Sequence, residues 1–118
     1  MSTLKADTIV AADGSSPVTL TGQTAAKAWV NFNSIGTVAV RQSGGVSSIS
    51  DNGTGDYTVN FATALTDANY AIALGSQPDN NNLGYDRFDT FLTTSFHFQH
   101  RENQTLYDTP ILAAIVVR

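Results

Sequence analysis

Apolar and polar residues alternate along most of this chain with a period of two. The clearest run is Ser47 to Phe61, where Tyr57, Val59 and Phe61 share one side of an extended segment and Thr58 and Asn60 the other. Asn52-Gly53 and Gly55-Asp56 sit just before that run, and these residue types tolerate the positive φ of a tight reversal. The pattern predicts a β-hairpin at the centre of a β-domain. Val46 and Ile49 fall out of strict phase, which predicts a bulge near Ser47-Ser48.

The same period continues on both sides of the hairpin. Ala28, Val30 and Phe32 alternate with Trp29, Asn31 and Asn33, and Val38 and Val40 are expected inward with Ala39 and Arg41 outward. Trp29 falls on the nominally polar side, where it is either covered by a neighbouring loop or subunit or displayed as a ligand platform. Tyr70, Ile72 and Leu74 oppose the small Ala71, Ala73 and Gly75, so one face of that strand lets something pack close. Residues 76–89, rich in Asn and Asp with Pro78 and Gly84, read as a surface loop. From Thr90 a strand resumes with Leu92, Thr94, Phe96, Phe98 and His100 on one face and Phe91, Thr93, Ser95, His97 and Gln99 on the other, and residues 101–104 read as a turn. The run Ile111 to Val117 is apolar on both faces, the mark of a central strand or an interface.

Residues 23–28 are good helix formers but suffice for a single turn only. Six or seven short strands at spacings of roughly 8 to 14 residues, with turn signals between them, predict an all-β fold, an antiparallel β-sandwich. The sandwich is expected over residues 25–118, as a head preceded by an extended N-terminal arm over residues 1–24. The apolar residues of the arm, Leu4, Ile9, Val10, Val18 and Leu20, are too sparse for a core, so they lie on the head or pair with copies from other subunits.

Composition narrows the function classes. Only 14% of the 118 residues are charged and the net charge is −4, with six scattered Lys and Arg, so there is no basic stripe of the kind that nucleic-acid binding needs. The absence of cysteine removes disulfides and thiolate metal sites. No window approaches the ~18 apolar residues of a membrane span, and the first residues lack the apolar run of a signal peptide, so neither membrane insertion nor Sec export is expected.

Catalytic chemistry finds little to work with. No nucleophile elbow, P-loop or dinucleotide fingerprint occurs, and Asp86 and Asp89 are spaced no more suggestively than acids on a solvated loop, so neither enzyme activity nor a cofactor is expected. His97 and His100, three apart in a strand, point to opposite faces and cannot share a metal within one chain. Residues 51–56 offer oxygen ligands without the spacing of a calcium loop and read as a hairpin turn. The best recognition candidate lies within 76–89. There Asp79, Asn80, Asn81, Asn82, Asp86 and Arg87 supply hydrogen-bonding groups and Tyr85 and Phe88 supply flat apolar faces, a mixture suited to a sugar. Residues 101–107 are expected beside it.

Three strings together resemble small tail-fibre proteins of tailed bacteriophages: Ser2 to Ile9, Ala25 to Asn33 leading to Gly36 through Arg41, and Val46 to Phe61 continuing to Asp67-Ala68-Asn69-Tyr70. The likeness covers roughly the first 70 residues and fades past Ala71. It implies an arm that anchors to other virion proteins of the tail, baseplate or capsid, a β-rich head that contacts the host surface through a glycan, and assembly as a homotrimer. Localisation in the virion follows, with synthesis in the host bacterial cytoplasm and release by lysis. A structural virion protein without receptor binding, such as a capsid head fibre or cement protein, fits the same composition, and a lectin-like module of other origin is a third reading.

Overall fold

The computed structural model describes residues 2–3, 5–10, 12, 26–77 and 83–118. Among these, nine strands form: β1 (Ala26–Asn33), β2 (Ala39–Gly44), β3 (Val46–Gly53), β4 (Asp56–Phe61), β5 (Ala71–Ser76), β6 (Gly84–Phe91), β7 (Ser95–Glu102), β8 (Thr105–Leu106) and β9 (Leu112–Val117). Two antiparallel sheets stack as a sandwich. The first has the order β2-β1-β9-β5, and the second has the order β3-β4-β7-β6 with β8 paired to β7.

The period of two places the core. From the first sheet Ala28, Val30, Phe32, Leu112, Ala114 and Val116 point inward, and from the second Tyr57, Val59, Phe61, Phe96 and Phe98 meet them. Phe32 contacts Tyr57 edge-on with ring centroids 5.4 Å apart and Phe98 at 6.4 Å, so aromatic edges and faces join the two sheets at their centre. The expected bulge is present as a register shift between Val46 and Ser48, and the hairpin turns through Gly53 and Gly55, both at positive φ.

Gly44-Gly45 forms a bend within an almost continuous strand: β2 ends in the first sheet at Gly44 and β3 begins in the second at Val46. Gly45 makes the bend at φ +66°, and a Cβ there would lie 2.4 Å from the carbonyl oxygen of Lys27. The crossing back to the first sheet runs through residues 62–70. Tyr70 pins that crossing by donating its hydroxyl to the carbonyls of Leu92 (2.9 Å) and Ser95 (3.0 Å).

Several expectations are corrected. The segment 84–89 is not loop but the greater part of β6, because it pairs in register with β7 from Gly84↔Glu102 onward, and the strand expected from Thr90 through His100 is split at residues 92–94, where the chain reverses so that Thr90 and Phe91 pair with His97 and Phe96. The helical turn over 23–28 is not formed at Ala26–Ala28, where pairing with Val116 and Val117 makes strand instead; residues 23–25 lie outside the described residues. Val40 sits opposite Phe32, yet it stays 44% exposed because β2 is an edge strand. Central position explains only part of β9. Its inner residues are buried, but Ile115 on the outer face is 49% exposed, so none of the described residues covers it fully.

Candidate functional site

The two outer faces of the sandwich differ in kind. The outer face of the second sheet is a polar surface bonded to itself. On β4, Asn60 donates to the hydroxyls of Ser48 (3.0 Å) and Ser50 (2.9 Å) on β3, while Asn52 donates to Asp56 (3.2 Å) and Thr58 (3.0 Å). Asp56 is the hub. Its carboxylate accepts from Gln99 (3.1 Å) and meets His97 Nε2 at 2.5 Å, and the other ring nitrogen of His97 meets Asp89 at 3.1 Å. Arg101 extends the chain by donating to Gln99 Oε1 (2.9 Å) and to the carbonyl of Gln104 (3.1 Å).

Burial pushes the Asp56 carboxyl up, but the bonds from His97, Gln99 and Asn52 more than offset this and hold it below the usual carboxylate range. Both nitrogens of His97 are engaged by carboxylates, so the ring has none left for a metal. Among the described residues no group of three or more His, Asp or Glu side chains is arranged to hold a metal ion.

β6 lines the free edge of this face. Tyr85 lies opposite Arg101 and Arg87 opposite Gln99, so both project outward beside the network, and Tyr85 is 43% exposed. Phe88 does not join them. It pairs with Phe98 on the inner side and packs against Phe91 with centroids 5.6 Å apart, so the strand separates the two aromatics that the loop reading grouped together. Asp79, Asn80, Asn81 and Asn82 lie outside the described residues, as do Leu4, Val18 and Leu20 of the arm. Ile9 and Val10 are described, and both are exposed.

The sequence reading missed a second histidine arrangement. His100, on the inner side of β7, is fully buried with its Nδ1 2.8 Å from Asp86 on β6 and its Nε2 3.5 Å from the buried Glu102. Burial pulls the imidazole pKa down. The bond and charge of Asp86, seconded by Glu102, outweigh it, and the net shift is upward. Asp86, expected among the hydrogen-bonding groups of the recognition segment, is thus turned inward on this ring and away from the outer face.

Two depressions open elsewhere. One of about 320 Å³ is lined by Lys27, Thr63, Leu65, Thr66 and Arg118, with the Arg118 guanidinium already bound to Asp67. The other, about 290 Å³, is lined by Ile35, Thr54, Tyr107 and Asp108, and the Asp108 carboxylate is taken by Tyr57 and the Gly55 amide. Neither brings a nucleophile and a base within reach of each other. No family model, no curated protein and no solved structure matches the chain.

Proposed function

We propose that this chain is a bacteriophage tail-fibre virion protein, in which residues 1–24 attach to other virion proteins and the sandwich, as a homotrimer, contacts a glycan of the host cell surface. The reading draws on the likeness of residues 2–9, 25–41 and 46–70 to small tail-fibre proteins. The observation that carries the recognition half is the outer face of the second sheet, where Tyr85 and Arg87 stand at the exposed edge of a preformed polar surface. A sugar ring stacks on an exposed tyrosine, and its hydroxyls exchange bonds with amide, guanidinium and carboxylate groups already held in place. Binding, rather than catalysis, is the role this proposal assigns to the face.

A second reading is favoured by a different property of the same face. Asn52, Asn60, Gln99 and Arg101 already spend hydrogen bonds on neighbours within the face (Thr58, Ser50, Asp56 and Gln99), which suits a structural virion protein, a capsid head fibre or cement protein, that does not bind a receptor. The two readings separate in one experiment. Purified full-length protein is applied to a panel of bacterial cells and isolated surface polysaccharides, and particles are labelled with antibody. Saturable binding together with label at the tail supports the fibre. Label on the capsid lattice with no cell binding overturns it in favour of the second reading.

A further inference from the structure

We infer that the depression beside the β3–β4 turn, lined by Ile35, Thr54, Tyr107 and Asp108, is a binding site for one ring of a neutral sugar. The choice of a sugar rests on the proposed recognition of a glycan, but Tyr85 and Arg87 are no part of this site.

Its acceptor is held in place from within the fold. Tyr57, completely buried, and the Gly55 amide both donate to the same oxygen of Asp108, Oδ1. Two donors fix the plane of the half-buried carboxylate, and its Oδ2 takes no hydrogen bond from the described residues. One oxygen is thus anchored and the other is available to hydroxyl donors. The Thr54 hydroxyl, on the exposed turn, makes no hydrogen bond among the described residues either, and it can both donate and accept.

The walls are braced from behind. Ser34 and Thr109, both buried, tie the segment before Ile35 to the segment after Asp108: the Ser34 amide donates to the Thr109 carbonyl (3.1 Å), the Ser34 hydroxyl donates to that carbonyl as well (2.9 Å), and the Thr109 amide donates to the Ser34 hydroxyl (2.8 Å). On the remaining side the hairpin turn presses on the Tyr107 segment so closely that a Cβ at Gly55 would lie 2.5 Å from the Tyr107 nitrogen. The depression is therefore formed before any ligand arrives. Binding has little to order, which favours a small ligand with few contacts.

Size and charge select the ligand. Ile35 is 51% and Tyr107 is 39% exposed, so apolar surface borders the open hydroxyl and carboxylate. A sugar ring presents C–H groups on its faces and hydroxyls around its edge, and it meets the apolar side chains with the first and Asp108 and Thr54 with the second. The volume of about 290 Å³ is near the low end of the ~300–1,000 Å³ of small-molecule sites, the scale of a single ring. No Lys, Arg or His lines the depression, so an acidic sugar or a phosphate would meet Asp108 with nothing to balance it.

The test is a titration of the full-length, nitrogen-15-labelled protein, followed by its amide resonances, with the methyl glycosides of glucose, galactose, mannose and N-acetylglucosamine, and with glucuronic acid and glucosamine. At least one neutral glycoside is expected to bind with a Kd of about 1 mM, the scale for one small ring, and to shift the amides of Thr54, Gly55, Tyr107 and Asp108 saturably. Tyr107→Ala and Asp108→Asn are each expected to weaken this at least about tenfold. Asparagine keeps an acceptor for Tyr57 and Gly55 and replaces the available oxygen by an amide group. Tyr107→Ala removes an exposed ring, so it decides the matter even if Asp108→Asn unfolds. The absence of saturable shifts at these amides up to about 50 mM of every neutral glycoside, about fifty times the expected Kd, overturns the inference. So does binding that Tyr107→Ala leaves unchanged, glucuronic acid bound as well as the neutral rings, or glucosamine bound about tenfold more tightly, which would give Asp108 to an ammonium group instead. Polysaccharide binding that leaves these amides unmoved overturns this site and spares the glycan reading. A neutral ring held here by a protein whose antibody label lies on the capsid upholds the site and overturns the tail fibre.

Discussion

The hydroxyl of Tyr57, on the central strand β4, donates to the carboxylate of Asp108, 51 positions later, and the amide of Gly55 donates to the same oxygen at 2.9 Å. One carboxylate thereby ties the turn of the hairpin to the connection that leads into β9. Burial, and next the Asp108 bond, push the Tyr57 hydroxyl far above its ordinary pKa, so it stays a donor throughout the accessible pH range. Tyr57→Phe removes the donor and leaves the ring packing intact. It is expected to lower unfolding free energy by about 1 to 3 kcal/mol, the range for losing a hydrogen bond to a charged group, read from urea denaturation at neutral pH. A Tyr57→Phe protein as stable as wild type would show that solvent replaces the bond.

His100 makes stability depend on pH in the neutral range. Its folded pKa is raised above the usual 6.5, so the stabilisation is fully present below about that value and is lost as pH rises through the folded pKa. The groups that face the ring are Asp86 from β6 and Glu102 from its own strand. The urea midpoint is expected to fall as pH rises from about 6.5, and to lose that slope in His100→Gln. At the acid end the sign reverses. Asp56, with its folded pKa lowered, contributes stability above its ordinary 3.8 that disappears as pH falls through the folded value.

Gly36 and Gly45 share nearly the same backbone angle, at φ +70° and +66°, but differ in surroundings. Nothing lies within 4 Å of a Cβ at Gly36, while one at Gly45 would strike the Lys27 carbonyl oxygen. Gly36→Ala is therefore expected to cost about 1 to 2 kcal/mol, the penalty for an L-residue in this conformation. Gly45→Ala is expected to cost clearly more, because the bend between the sheets must also open. Equal thermal shifts for the two variants would show that the backbone near Lys27 yields freely.

Tyr85→Ala and Arg87→Ala alter exposed positions, so each is expected to change stability by no more than about 0.5 kcal/mol. Each is also expected to weaken attachment to whichever surface polysaccharide the wild type binds, by at least about tenfold, equivalent to ~1.4 kcal/mol. Phe88→Ala is expected to act the other way round. It removes packing against Phe91 and lowers stability, and it leaves the affinity of the folded protein unchanged. Surface plasmon resonance alongside thermal unfolding distinguishes these patterns.

Legibility followed residue type. The hairpin, its bulge at Val46–Ser48 and the inward Phe96, Phe98 and His100 were readable because strict alternation with aromatic and β-branched residues marks a half-buried strand. β6 was not, because Asp86, Arg87 and Asp89 are poor strand formers. What holds them in a strand is pairing to β7, with Asp86 beside His100 and Asp89 beside His97, contacts across the β6–β7 hairpin that the polar residue types of β6 do not announce. That error carried the site with it. In a loop Tyr85 and Phe88 can face the same way, but in this strand they stand on opposite sides. Strand order was also hidden, because Gly44-Gly45 marks a turn and a bend between sheets with the same two letters.

β1 has a mechanical consequence. It lies inside the first sheet, antiparallel to β2 on one side and to β9 on the other, and Ala26 at its start is paired with Val117. Suppose the chain is held through the residues before Ala26 while a load is gripped on the second sheet. Tension then runs lengthwise along β1 and strains its backbone bonds to both neighbours together, not one after another as in unzipping. Rupture requires them to fail as a group, so the sandwich hangs from its strongest seam, and its lifetime under pull is set by an unfolding rate rather than by its equilibrium stability.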